Sequence, residues 1–137
     1  MSETATLVDL ALLHPSQLYL SAKRLEQILA WIKSEDPDEL KPLPVKELDG
    51  HLMLTDGHHR AYAFHSLGYK QIKVIPDPDE LDWEAYRICV QWCLEDGISS
   101  VTDLESRIVN EEDFDLLWDK RCDELHQFLE EQRCASD

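Results

Sequence analysis

Thr55-Asp56-Gly57-His58-His59-Arg60 stands where an alternating run ends and a helical run begins. Before it, His51-Leu52-Met53-Leu54 reads as a short strand. After it, Ala61-Tyr62-Ala63-Phe64-His65-Ser66-Leu67 is helix-forming and apolar-periodic, and stops at Gly68. The polar cluster therefore falls at a strand-to-helix junction. Such a junction presents the unpaired N–H groups of a helix N-terminus, whose partial positive charge favours an anion. The stretch reads as a phosphate-binding turn.

Working outward, Asp49-Gly50 is a favoured two-residue hairpin dipeptide, so Val45–Leu48 is expected to pair antiparallel with His51–Thr55. Pro42 and Pro44 hold the approach extended. Downstream, Gln71-Ile72-Lys73-Val74-Ile75 alternates as a strand would, and Pro76 and Pro78 end it. Upstream, Thr6 to Leu13 predicts a first strand broken by His14-Pro15. Ser21 predicts the N-cap of a helix over 22–34 with apolar positions Leu25, Ile28, Leu29 and Ile32. Residues 34–39 form an acidic, proline-broken loop.

Toward the C-terminus, Trp83 to Leu94 has helical spacing and is closed by Asp96-Gly97, and a short helical turn is expected around 101–108. Glu111 to Gln132 reads as an amphipathic helix with Phe114, Leu117, Trp118, Leu125, Phe128 and Leu129 on one side. The order predicts an α+β (mixed α/β) fold, a small mixed sheet with packed helices. Residues 1–76 are expected to form the core unit and 77–137 an acidic helical extension that packs with it as one domain or forms a lobe of its own.

The 137 residues suit a single domain with a hydrophobic core, and no apolar run is long enough for a membrane span. Met1-Ser2-Glu3-Thr4 does not open a secretory signal, which leaves the cytoplasm as the expected location. Four cysteines without CxxC spacing are expected to be reduced thiols. The net charge of -16 is unevenly spread: residues 1–40 hold seven acids and three bases, 41–75 three acids and five bases, and 76–137 nineteen acids and five bases. The turn thus sits in the one segment with a basic surplus, framed by Lys41, Lys46, Arg60, Lys70 and Lys73. A DNA duplex would be repelled by the rest of the chain, whereas a small phosphorylated ligand is compatible.

Asp56-Gly57-His58-His59-Arg60, following a hairpin and leading into a helix that ends Leu67-Gly68 before an Ile/Val strand, resembles the ParB/sulfiredoxin superfamily over residues 7 to 75. The resemblance implies a nucleotide-binding core. Gly57 matches the glycine that lets backbone approach a phosphate, His59 the polar position that reaches it, and Arg60 the arginine that grips it; His58 lies between them in the same turn. Sulfiredoxins carry their reactive cysteine where this chain has His58, which argues against thiol chemistry. ParB proteins continue into a DNA-binding region, against which the acidic helices speak.

The turn is most similar to the Asp-Gly-x-His-Arg of free-serine kinases, matched by Asp56, Gly57, His59 and Arg60. That likeness implies phosphoryl transfer from ATP or ADP, with Mg²⁺, to a small hydroxylated substrate such as serine. The catalytic glutamate of those kinases has no counterpart in Leu12-Leu13-His14-Pro15-Ser16-Gln17-Leu18-Tyr19. His14 is the candidate base in its place, with Asp9 as an alternative. Asp56 is the candidate for holding the metal or ordering His59.

Blander readings stand beside these. Asp-Gly is a common turn, His65 belongs to a helix surface, and Trp83, Trp92 and Trp118 are expected in the core. Cys89, Cys93, Cys122 and His126 could converge on zinc, but burial of the thiols is the preferred reading. Acidic runs such as Glu111 to Asp115 are solvated helix surface. The rival function is a non-catalytic adaptor or regulatory module that binds a basic protein partner through its acidic helices. A ParB-like nuclease comes last, for want of an acidic metal cluster.

Overall fold

The computed structural model describes residues 5–35 and 40–135; residues 36–39, most of the expected acidic loop, and both chain ends lie outside the described residues. The sheet is built from the Asp49-Gly50 turn. Asp49 (φ 53°) and Gly50 (φ 84°) are both left-handed, as a tight two-residue hairpin requires. They join β4 (Leu43–Leu48) to β5 (His51–Leu54), which pair antiparallel from Leu48 opposite His51 to Val45 opposite Leu54. β4 also pairs in parallel with β6 (Gln71–Pro76), and β6 antiparallel with β1 (Thr6–Asp9). On the other side β5 pairs in parallel with β2 (Leu13–His14), giving the order β1-β6-β4-β5-β2.

The single strand expected over Thr6 to Leu13 is therefore two. A 3-10 turn, Leu10–Leu12, separates them and carries the chain from one edge of the sheet to the other. Side chains three apart on an unbroken strand face opposite ways. The turn instead lets Leu10 and Leu13 both enter the core. It advances only about 6 Å, so the mixed sheet curls until its edges approach.

α1 (Ala22–Ser34) starts where expected: Ser21 Oγ accepts the Arg24 N–H at 3.2 Å, and Leu25 and Ile32 are buried. α1 packs against α2 (His58–Ser66), whose Ala61, Tyr62, Ala63 and Phe64 are all buried. α2 ends at left-handed Gly68, beyond which the Tyr69 N–H returns to the Phe64 carbonyl at 3.0 Å.

The C-terminal residues join the same core. After α3 (Trp83–Glu95) comes a 3-10 helix, Val101–Arg107, and then β7 (Ile108–Val109), which pairs in parallel with β3 (Leu20–Ser21). The last helical segment comprises α4 (Glu111–Phe114), a π-helical turn (Asp115–Asp119) and α5 (Lys120–Ala135). Val101, Leu104, Phe114 and Trp118 share one hydrophobic cluster with Leu10, Leu25, Leu43 and Leu54. The π turn shifts the helix phase, so Leu117 and Phe128, expected on the buried side, are exposed, while Phe114, Trp118, Leu125 and Leu129 are buried. Trp83, expected in the core, is exposed, with the Lys46 ammonium 5.7 Å from its ring centre. Among the described residues no helix is long and apolar enough to cross a membrane.

Candidate functional site

The β5–α2 junction forms one wall of a cavity of about 260 Å³, lined by Asp56, Gly57, His58, His59 and Arg60 and closed by Gln17, Arg24, Ile28, Phe114, Trp118 and Asp119. Thr55 anchors the turn: its N–H donates to the Pro44 carbonyl at 3.1 Å and its Oγ1 to Asp77 at 2.7 Å, and its carbonyl accepts from the Tyr86 hydroxyl at 3.3 Å. Gly57 is left-handed, φ 77°, and a Cβ there would come within 2.6 Å of Leu43 Cδ2. The same imagined atom would lie 3.8 Å from Arg60 Nη2 and 3.9 Å from Nε, so the guanidinium folds back against the glycine.

The first turn of α2 is open to a ligand. The Gly57 N–H donates to Asp56 Oδ1 at 2.8 Å, but the N–H groups of His58, His59 and Arg60 have no partner among the described residues. Arg60 is partly buried, which pulls its pKa down, with Asp56 acting in the opposite sense. Its guanidinium has no ion-pair or hydrogen-bond partner among the described residues. A partly buried guanidinium beside three free N–H groups is the kind of donor set that an anion would take.

Both histidines of the turn hold the chain that passes over it. The Ser16 N–H donates to His58 Nε2 at 3.0 Å, and the Ser21 N–H to His59 Nε2 at 2.8 Å. Accepting a backbone N–H requires a bare Nε2, so each ring proton sits on Nδ1. His58 is buried, and burial followed by the neighbouring His59 pushes its pKa down to about 3. His59, lowered to about 4 by burial and then by Arg24, packs edge-on to Phe114 with ring centres 5.7 Å apart. Both are neutral at physiological pH. It is Ser21, not Asp56, that orders His59.

The far wall was not readable from the turn. Arg24 lies over the Phe114 ring at 4.7 Å and pairs with Glu111 at 3.3 Å and Asp119 at 3.8 Å. Ser21 Oγ donates to Glu111, whose pKa is lowered first by that bond, while burial raises that of Asp119. The pairing of β3 with β7 brings these acids to α1, and nothing in two short dipeptides signals it.

Of the five cations expected to frame the turn, only Arg60 lines the cavity. Lys41 and Lys73 border a separate 120 Å³ pocket with Leu7, Phe64 and Tyr69, and Lys46 sits over Trp83. His14 lines neither this cavity nor its neighbour; it stacks on His51 with centroids 4.4 Å apart, its pKa lowered by burial and then by His51. That neighbour, about 210 Å³, shares Gln17, His58 and Trp118 with the first. Among the described residues no three metal-ligating side chains converge, the cysteine and histidine set included.

No protein-family model and no curated protein matches the chain. Among solved structures it is similar to protein Atu1540 from Agrobacterium tumefaciens, at 15% sequence identity and a TM-score of 0.50, over 70% of this chain and 49% of that one. The chain thus spans about half the length of that protein, and the likeness is one of fold.

Proposed function

We propose that the chain binds the phosphate groups of a nucleotide, ATP or ADP, at the first turn of α2. As in the free-serine kinases that the turn resembles, the activity would be phosphoryl transfer to a small hydroxylated substrate such as serine. The observation that carries this reading is Arg60: a partly buried guanidinium without a protein partner among the described residues, held against Gly57 beside three unpaired N–H groups. Arg24 adds a second cation and the Phe114 ring a flat apolar surface in the same cavity.

Mg²⁺ bound to nucleotide takes only one or two protein carboxylates. Asp56, whose Oδ2 has no hydrogen-bond partner among the described residues, and Asp119 both face the cavity and fit that need. Held by these carboxylates, such an ion would supply positive charge that offsets the charge on the phosphates. The chain's part is positional: N–H groups and Arg60 hold the phosphates, and Phe114, Trp118 and Ile28 exclude water.

ADP or ATP with Mg²⁺ should raise the melting temperature by several degrees at ligand well above Kd, and Arg60→Ala should abolish the rise while leaving the fold intact by circular dichroism. An unchanged melting temperature with ADP, ATP and CTP alike would reject the proposal. Phosphorus NMR with free serine separates transfer, which yields a phosphoserine resonance, from binding alone.

The adaptor reading draws on a different observation: residues 76–137 combine nineteen acids and five bases with exposed Leu116, Leu117 and Phe128. It requires a basic protein partner whose affinity falls with salt.

A further inference from the structure

In the cavity that adjoins the candidate anion site, the packed faces of α3 and α5 hold two thiols. Cys89 and Cys122 both line the 210 Å³ cavity, with Tyr86 and His126, and both pack against the main core only partly buried. The two side chains also interact with each other across that cavity. We infer that Cys89 and Cys122 are a dithiol modification site, closing to a reversible intramolecular disulfide on contact with a hydroperoxide.

The surroundings assign the roles. The interaction with Cys122 is the largest influence on Cys89 and lowers its pKa, and Arg121, whose guanidinium lies 4.0 Å over the Trp92 ring, acts in the same direction. Cys122 is shifted the other way, first by Cys89 and then by burial, which keeps it in its thiol form. Cys89 is therefore the attacking thiolate and Cys122 the resolving thiol. The Cys89 sulfur attacks one peroxide oxygen, the O–O bond breaks, and a sulfenic acid forms as hydroxide leaves. The Cys122 sulfur then displaces that oxygen: the S–S bond forms, the S–O bond breaks, and the thiol proton departs with it as water. In sum two thiols lose two electrons and two protons, and one hydroperoxide, here hydrogen peroxide, becomes two waters.

The other two cysteines provide contrast. Cys93 is completely buried, its pKa pushed up to about 12 chiefly by desolvation, and it lines no part of the cavity. Cys134 is exposed near the end of α5. An oxidant entering the cavity meets Cys89 and Cys122 first.

The full-length protein, reduced and then treated with hydrogen peroxide, should lose about 2 Da per molecule and regain it with dithiothreitol. A non-reducing chymotryptic map, in which cleavage after Trp92 separates Cys89 from Cys93, should show Cys89 linked to Cys122. The oxidised form should melt about 10 °C higher, since the link closes a loop of some thirty residues. In Cys122→Ser, dimedone should trap a sulfenic acid on Cys89; in Cys89→Ser it should trap nothing at position 122. Absence of an intramolecular link, or a link through Cys93 or Cys134, would overturn the assignment, and the wild-type map decides this even if a variant misfolds.

Discussion

A methyl group added at Gly57 would meet Leu43 Cδ2 at 2.6 Å in a backbone conformation that side chains rarely adopt. Clash and strain act together, and Leu43 is itself completely buried. Gly57→Ala should cost about 2–4 kcal/mol, read from the urea midpoint; a loss under half a kcal/mol would mean the turn relaxes. His58 makes the neighbouring position pH-sensitive. Its ring titrates at about 6.5 when unfolded and about 3 when folded. Between those values the unfolded chain binds a proton that the native chain does not. The stability contributed by the neutral ring is complete above pH ~6.5 and declines as pH falls toward 3, by about 1.4 kcal/mol per pH unit. His58→Gln should flatten the slope of unfolding free energy against pH between 6 and 4 by that amount. Equal slopes would show that the ring titrates normally.

Much of the element pattern was legible because local chemistry decided it. Ser21 caps α1, Asp49-Gly50 makes the hairpin, and Gly68 and Gly97 lie in the left-handed conformation after α2 and α3. The turn at Asp56 to Arg60 was found for the same reason, since strand, glycine and arginine are contiguous. The rest depends on what only tertiary packing chooses. Leu10 and Leu13 break the first strand because both can be buried, and the π turn moves Leu117 and Phe128 outward although their spacing suited an α-helix. Arg24, Phe114 and Asp119 reach the site through the pairing of β3 with β7, two residues on each side. Ser21 is the joint of that arrangement, capping α1 and donating to Glu111. Ser21→Ala should lower stability by about 1–2 kcal/mol and weaken nucleotide binding through Glu111 and its partner Arg24. An unaltered urea midpoint would show that Glu111 and the cap are dispensable.

The sheet unit and part of the acidic C-terminal segment share one interior despite the uneven charge. Val101, Leu104, Phe114 and Trp118 fill the same cluster as the sheet residues, so the acidic C-terminal part is a wall of the core. A fragment ending at Pro76 should fail to fold, giving no cooperative thermal transition and little far-UV signal. A cooperative transition from that fragment would show that the sheet unit is self-sufficient.

The three-residue turn between β1 and β2 also bears on how the protein is made. Thr6 to Asp9 pair with Gln71 to Val74, and Leu13 with Leu52. Elongation proceeds at about 5–20 residues per second, so the first strand waits several seconds after synthesis before its partner exists. Throughout that interval Leu7, Val8, Leu10, Leu12 and Leu13 form an apolar segment without its native neighbours. The curl that brings the two edges close together thus keeps β1 without its partner until β6 has been made, whereas β2 needs only β5.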